Sequence, residues 1–103
     1  MTPAQLCLLA ASNPEIPVPF ILWLGDNIHI WEAFEAEALN VVRTGQTHYS
    51  ARTILHFLRH HSVVTERSAT PWKLNDHHSP YLARLFAMVH PQHADLFEYR
   101  AVA

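Results

Sequence analysis

Residues 48–62 read HYSARTILHFLRHHS and place four histidines and two arginines on one short stretch. Imidazoles so clustered can ligate a metal, shuttle protons or, beside arginine, face an anion. His56 and His60 are four apart, a spacing at which one helix can offer both rings to a single ion. His77-His78 or His90 and His93 could supply a third ligand. Against a metal stand three features: Phe57 occupies the position where an HExxH motif needs glutamate, Cys7 is the one cysteine, and Arg52 and Arg59 would repel a dication. Neither a metal nor any other cofactor is expected. Catalysis would need a nucleophile such as Ser50, Ser62 or Ser79, and a backbone shaped to hold an oxyanion. Two glycines in 103 residues leave little room for a phosphate-cradling loop or a nucleophile elbow. The chain is expected not to be an enzyme.

Anion binding uses the same residues without these demands. At 100° per residue Arg52, His56 and Arg59 share one arc of a helix, with His60 at its edge. Ala51, Ile54, Leu58 and His61 share the opposite arc, flanked by Leu55 and Phe57. Arginine forks match phosphate oxygens, and the helix start at Tyr49 and Ser50 adds exposed amides. Lys73 joins the candidate site, which Arg67, Asn75, His77 and His78 could extend. An ordinary solvated helix face carries the same pattern.

Charge along the chain points the same way. Residues 1–42 hold five acids (Glu15, Asp26, Glu32, Glu35, Glu37) and no lysine or arginine. Residues 43–103 hold all seven basic residues against four acids, and eight of nine histidines. Such asymmetry suits a polyanion or an acidic protein surface. With nine histidines, a pH dependence near about 6–7 is expected, where free imidazole titrates. Half the residues are apolar, so a packed core is affordable for one domain spanning 1–103. A single cysteine excludes an intrachain disulfide, and the longest apolar run, residues 18–25, is short of the ~20 residues a membrane helix needs. A cytoplasmic location with no membrane partner is expected.

The elements that would position these groups follow from caps and periodicity. Thr2 and Pro3 start a helix over 3–11 that Asn13-Pro14 stops. Three prolines in NPEIPVPF (13–20) predict an extended connector delivering Phe20 to Leu24 to the core, with a short helix or strand as the alternative. A helix from Ile28 to Arg43 follows Asn27 and ends at Gly45, its stripe Trp31, Phe34, Ala38 and Val42. Ser50 caps a helix over 51–61. Residues 62–72 read as a loop with a short extended piece at Val63 and Val64, and residues 72–75 as a brief strand or turn. Ser79 and Pro80 start a helix over 80–89, ended by His90-Pro91; Arg84 is its one charge, so it should be the most buried. A last turn docks Leu96 and Phe97. The expected fold is a mainly α domain of four to five helices, with room for one short extended pair or a winged-helix variant whose wing is residues 63–75.

The stretch WKLNDHHSPYLARLFAMVHPQHADLFEYR, residues 72–100, resembles a family of small uncharacterised proteins encoded by phages, prophages and bacterial genomes. The matching residues are Trp72, Lys73, Leu74 and Asn75, then Leu82, Ala83, Arg84, Leu85 and Phe86, then Pro91, Phe97, Glu98 and Arg100. Upstream, residues 31–61 are similar to the same group, so the likeness covers about two-thirds of the chain. It departs at Asp76, where a second asparagine is the pattern. The resemblance implies a mobile-element setting and a protein that acts by binding. Structurally, Asn75 could close the turn before the helix over 80–89 and Arg84 could pair with Glu98; functionally, the same groups, with Lys73 and Arg100, could contact phosphate or a partner protein. The leading expectation is a non-catalytic, phage-type accessory or regulator of DNA transactions that contacts nucleic acid through Arg52, His56, Arg59, His60 and Lys73. The alternative is an inhibitor or adaptor bound to a host or phage protein complex, such as a host defence, through the acidic first half or aromatics around Trp23 and Trp72. A homodimer is compatible with either.

Overall fold

Five α-helices account for nearly all the regular structure in the computed structural model, which describes residues 1–65 and 76–97, with side chains to His60 and again from His77. They are α1 (Pro3–Ala11), α2 (Val18–Asp26), α3 (Ile28–Arg43), α4 (Ala51–Thr65) and α5 (Ser79–Val89). Single 3₁₀ turns at Asp76–His78 and Pro91–His93 bracket α5. The mainly α reading holds. Among the described residues β pairing is one isolated parallel bridge, between Tyr49 and Phe97.

Each boundary has a local cause. Thr2 and Gln5 close a reciprocal capping box on α1: the Gln5 amide donates to Thr2 Oγ1 at 3.2 Å and the Thr2 amide to Gln5 Oε1 at 2.8 Å. The proline-rich connector is shorter than its composition suggests, because α2 begins at Val18 and takes Pro19 into its first turn. A first-turn proline sacrifices no hydrogen bond, since that amide has no helical partner. Asn27 sits between α2 and α3 and donates its side-chain amide to the Trp23 carbonyl at 2.8 Å. It thereby closes α2 rather than capping α3 with its side chain. Gly45, at φ +88°, terminates α3 in the left-handed region, where an L side chain is strained.

Two expectations around α4 and α5 are corrected. Val63 and Val64 do not form an extended piece: α4 continues through Thr65, since β-branched residues only weakly disfavour a helix already nucleated and packed. A wing over 63–75 therefore loses its first three residues to α4, and the remainder lies outside the described residues. Ser79 is the first residue of α5, and His78 stands at the cap position.

The core runs through all five helices. Leu24, Ile30, Phe34, Ile54, Leu55, Leu82, Leu85 and Phe86 are its largest fully buried side chains. Each contributes roughly 1.5–3 kcal/mol by leaving water. Contacts join α1 to α2, α3 to α4 and α5, and α4 to α5. Phe97 meets Phe34 and Phe86 with centroids 5.6 and 5.5 Å away, so the segment after α5 returns to the centre. On α5 the five residues from Leu82 to Phe86 are all buried, as its sparse charge implied.

Candidate nucleic-acid interface

The helix that carries the cationic cluster is held from behind and at its start. Ile54, Leu55 and Leu58 bury one side of α4 in the core. The Tyr49 amide donates to the Leu96 carbonyl at 2.8 Å, tying the approach to α4 to the chain after α5. Ser50 then caps the helix, its Oγ accepting the Thr53 amide at 3.3 Å. This fixes the rotation of α4, and the rotation decides which side chains look outward.

Arg52, His56 and His60 are exposed, and Arg59 is half-buried. The structure thus places four of the five expected site residues on the outward side of one helix. Lys73, together with Arg67, Trp72 and Asn75, lies outside the described residues, as does the side chain of His61. Arg52 and Arg59 are seven residues apart, about 10 Å along the axis. No Asp or Glu occurs between residues 38 and 65, so α4 and its approach carry no carboxylate of their own. Arg43, Thr44, Gln46 and His48, which lead into the helix, are exposed as well.

Two histidines that the sequence offers, His78 as an extension of the cationic face and His90 as a possible metal ligand, are engaged elsewhere. His78 is half-buried and stacks on Trp23 with centroids 4.1 Å apart, beside Phe20. Burial, followed by the charge of neighbouring His77, holds its pKa below the usual 6.5. It is therefore part of an aromatic cluster between α2 and the start of α5 and does not extend the exposed cationic side of α4. His90 Nε2 lies 2.7 Å from Glu35 Oε2, so the ring that ends α5 is engaged with α3. Among the described residues no three His, Cys, Asp or Glu side chains converge as metal ligands.

Arg84 also has a partner that sequence reasoning missed. Its Nε donates to Glu15 Oε2 at 2.8 Å and its Nη1 to the Pro80 carbonyl at 3.1 Å. The expected partner, Glu98, lies outside the described residues, and Glu15 arrives from the turn between α1 and α2. No local pattern links positions so distant in sequence. Two surface features were equally illegible. A cleft of about 240 Å³ opens between the start of α1 and α3, lined by Leu6, Ile28, Trp31, Glu32, Glu35 and Val89 among others. Phe57, expected to flank the apolar arc of α4, is 47% exposed.

No helix among the described residues is long and apolar enough to cross a membrane. Nothing among protein-family models, curated proteins or solved structures matches this chain.

Proposed function

We propose that this chain is a non-catalytic binding protein of phage or prophage type that contacts nucleic acid, as a small accessory or regulator of DNA transactions. The observation that carries the reading is the outward display of Arg52, His56, Arg59 and His60 on one rigidly seated helix within an acid-free stretch. Arginine forks on such a face engage successive phosphates, and the apolar side of α4 holds them in register. Lys73 is the fifth expected contact. The absence of carboxylates from Ala38 to Thr65 removes the nearest source of repulsion along the chain.

The test is fluorescence anisotropy of labelled DNA at low and moderate salt. Affinity should fall with salt, at a log–log slope near −0.9 per neutralised duplex phosphate. Arg52→Ala with Arg59→Ala should weaken binding across sequences and flatten that slope by about two. Failure to bind any DNA at low salt ends the reading.

A second reading, a protein-binding inhibitor or adaptor acting on a host or phage complex, draws on a different surface. Leu8 of α1 and Val18 and Leu22 of α2 are 71%, 65% and 69% exposed, a costly arrangement unless something covers them. Under that reading, one stoichiometric, nuclease-resistant protein would be recovered with the chain, and Leu8→Glu with Leu22→Glu would release it.

A further inference from the structure

We infer that the cleft between α1, α3 and the end of α5 binds a small organic amine, its ammonium on Glu32 and Glu35 and its apolar body against Leu6, Ile28, Trp31 and Val89. The inference is independent of the nucleic-acid reading, since no described residue of α4 lines this cleft. Its volume is about 240 Å³. A cavity of roughly 150 Å³ takes up benzene, so this one accepts a ring with a short chain. Leu6 and Trp31 belong to the packed core, which makes that wall of the cleft rigid. Ile28, Trp31, Glu32 and Glu35 recur at helical spacing and share one face of α3. Along that face the lining turns from apolar to acidic.

An apolar hollow with a few polar groups at one side is the usual form of a small-molecule site. Here the polar groups set the sign of the ligand. The described lining supplies two carboxylates and no lysine, arginine or histidine, so it attracts a cation and repels an anion. Residues 1–42, which provide all of that lining except Val89, hold five acids and no lysine or arginine. Glu32 and Glu35 lie one turn apart, a spacing at which like charges repel, and a cation between them relieves the repulsion. His90 Nε2, 2.7 Å from Glu35 Oε2, orients one of the two carboxylates from the α5 side. A carboxylate accepts several donors, so Glu35 can receive an ammonium as well. Charge-assisted hydrogen bonds made at the edge of an apolar hollow are stronger than in open water. A metal ion is the poorer occupant. Among the described residues no three ligating side chains converge, and apolar side chains supply the rest of the wall.

The experiment titrates phenethylamine into the full chain near neutral pH, followed by calorimetry and by the Trp31 indole N–H resonance. A Kd below about 1 mM is expected, with the indole signal shifting as the cleft fills. Phenethyl alcohol (the neutral counterpart), hydrocinnamate (the anionic one) and methylamine, which has the charge without the ring, should each bind at least about tenfold more weakly. Glu32→Gln and Glu35→Gln keep the shape of the lining and should each weaken the amine about three- to tenfold. Both variants should leave the alcohol within about twofold and the helix content by circular dichroism unchanged. Alcohol bound as tightly as amine, amine affinity indifferent to both substitutions, or no shift of the Trp31 indole overturns the inference and leaves the nucleic-acid reading standing. A lysine- or arginine-bearing peptide bound at least about tenfold more tightly than phenethylamine, with the same loss on Glu35→Gln, overturns the small-molecule assignment in favour of a protein partner.

Discussion

Removing the charge of Arg84 should matter less than removing its bulk. The side chain lies in a run of five buried residues on α5, with Nε on the Glu15 carboxylate and Nη1 on the Pro80 carbonyl. The two partners differ sharply in burial: the Arg84 side chain is 8% exposed and that of Glu15 66%. Water therefore competes for the carboxylate but hardly reaches the guanidinium. A hydrogen bond to a charged group is worth about 1.5–3 kcal/mol when sheltered. The exposed carboxylate puts Glu15→Gln at the lower end, about 1–1.5 kcal/mol. Arg84→Ala removes the buried aliphatic stem as well and opens a gap between α5 and the α1–α2 turn, so about 2–4 kcal/mol is expected. Arg84→Met keeps most of that stem, strands no buried charge and leaves Glu15 hydrated. It should cost about 1 kcal/mol or less.

Urea unfolding followed by far-ultraviolet circular dichroism measures all three, provided the slope against denaturant is unchanged. In a chain of this length each kcal/mol shifts Tm by about 4–8 °C, so the alanine and methionine variants separate cleanly. Glu15→Gln should become nearly silent in the Arg84→Met background, because its effect acts through the guanidinium. Equal losses for alanine and methionine, or a Glu15→Gln cost that persists in that background, would refute the assignment of Arg84 to packing first and pairing second.

Three further outcomes follow from single contacts. Burial depresses the His78 pKa, so the unfolded chain takes up a proton that the folded chain resists; this contribution is complete above the usual 6.5 and is lost as pH falls below it. Between about pH 7.5 and 5.5 the wild-type chain should therefore lose more stability than His78→Phe, which keeps a ring on Trp23 and titrates nothing. Gly45→Ala should cost about 1–2 kcal/mol in thermal melts, all of it backbone strain at φ +88°, since a Cβ there meets nothing within 4 Å. A double-mutant cycle with His90→Phe and Glu35→Gln should return a coupling of about 0.5–2 kcal/mol for the 2.7 Å contact; additivity would mean that the Phe86 ring alone holds His90.

The sequence announced what is encoded locally. Thr2 with Pro3, Ser50 and Gly45 each mark a helix end by chemistry confined to a few residues, and the structure uses all of them. Helical periodicity was enough to separate Ile54 and Leu58 from Arg52 and His56, which is why the outward placement of the cationic residues was legible before any coordinates. The α2 helix was legible only as an alternative to an extended connector, because proline's penalty depends on its position within a helix, and position is unknown until the helix start is known. The length of α4 was underestimated for a related reason: the preference of Val63 and Val64 for extended structure is a weak prior that packing overrides. Arg84 with Glu15, His90 with Glu35 and His78 with Trp23 were hidden entirely, since each joins elements far apart in the chain. The turn at Asn75 and the contacts of Lys73 and Glu98 fall outside the described residues.

Those long-range pairs sharpen the case for α4. The sequence spreads its cations over the whole second half, which by itself implies a diffuse positive surface. Folding sorts them. Arg84 goes to a carboxylate from the acidic first half, His90 to another, and His78 into an aromatic stack. The series Arg43, His48, Arg52, His56 and His60 is exposed, along and before a helix whose opposite side fixes its orientation. Interior packing and outward charge on α4 involve different residues. Changing Arg52 or His56 leaves the buried side of α4 intact, and urea unfolding of each variant beside its DNA titration separates lost recognition from lost stability.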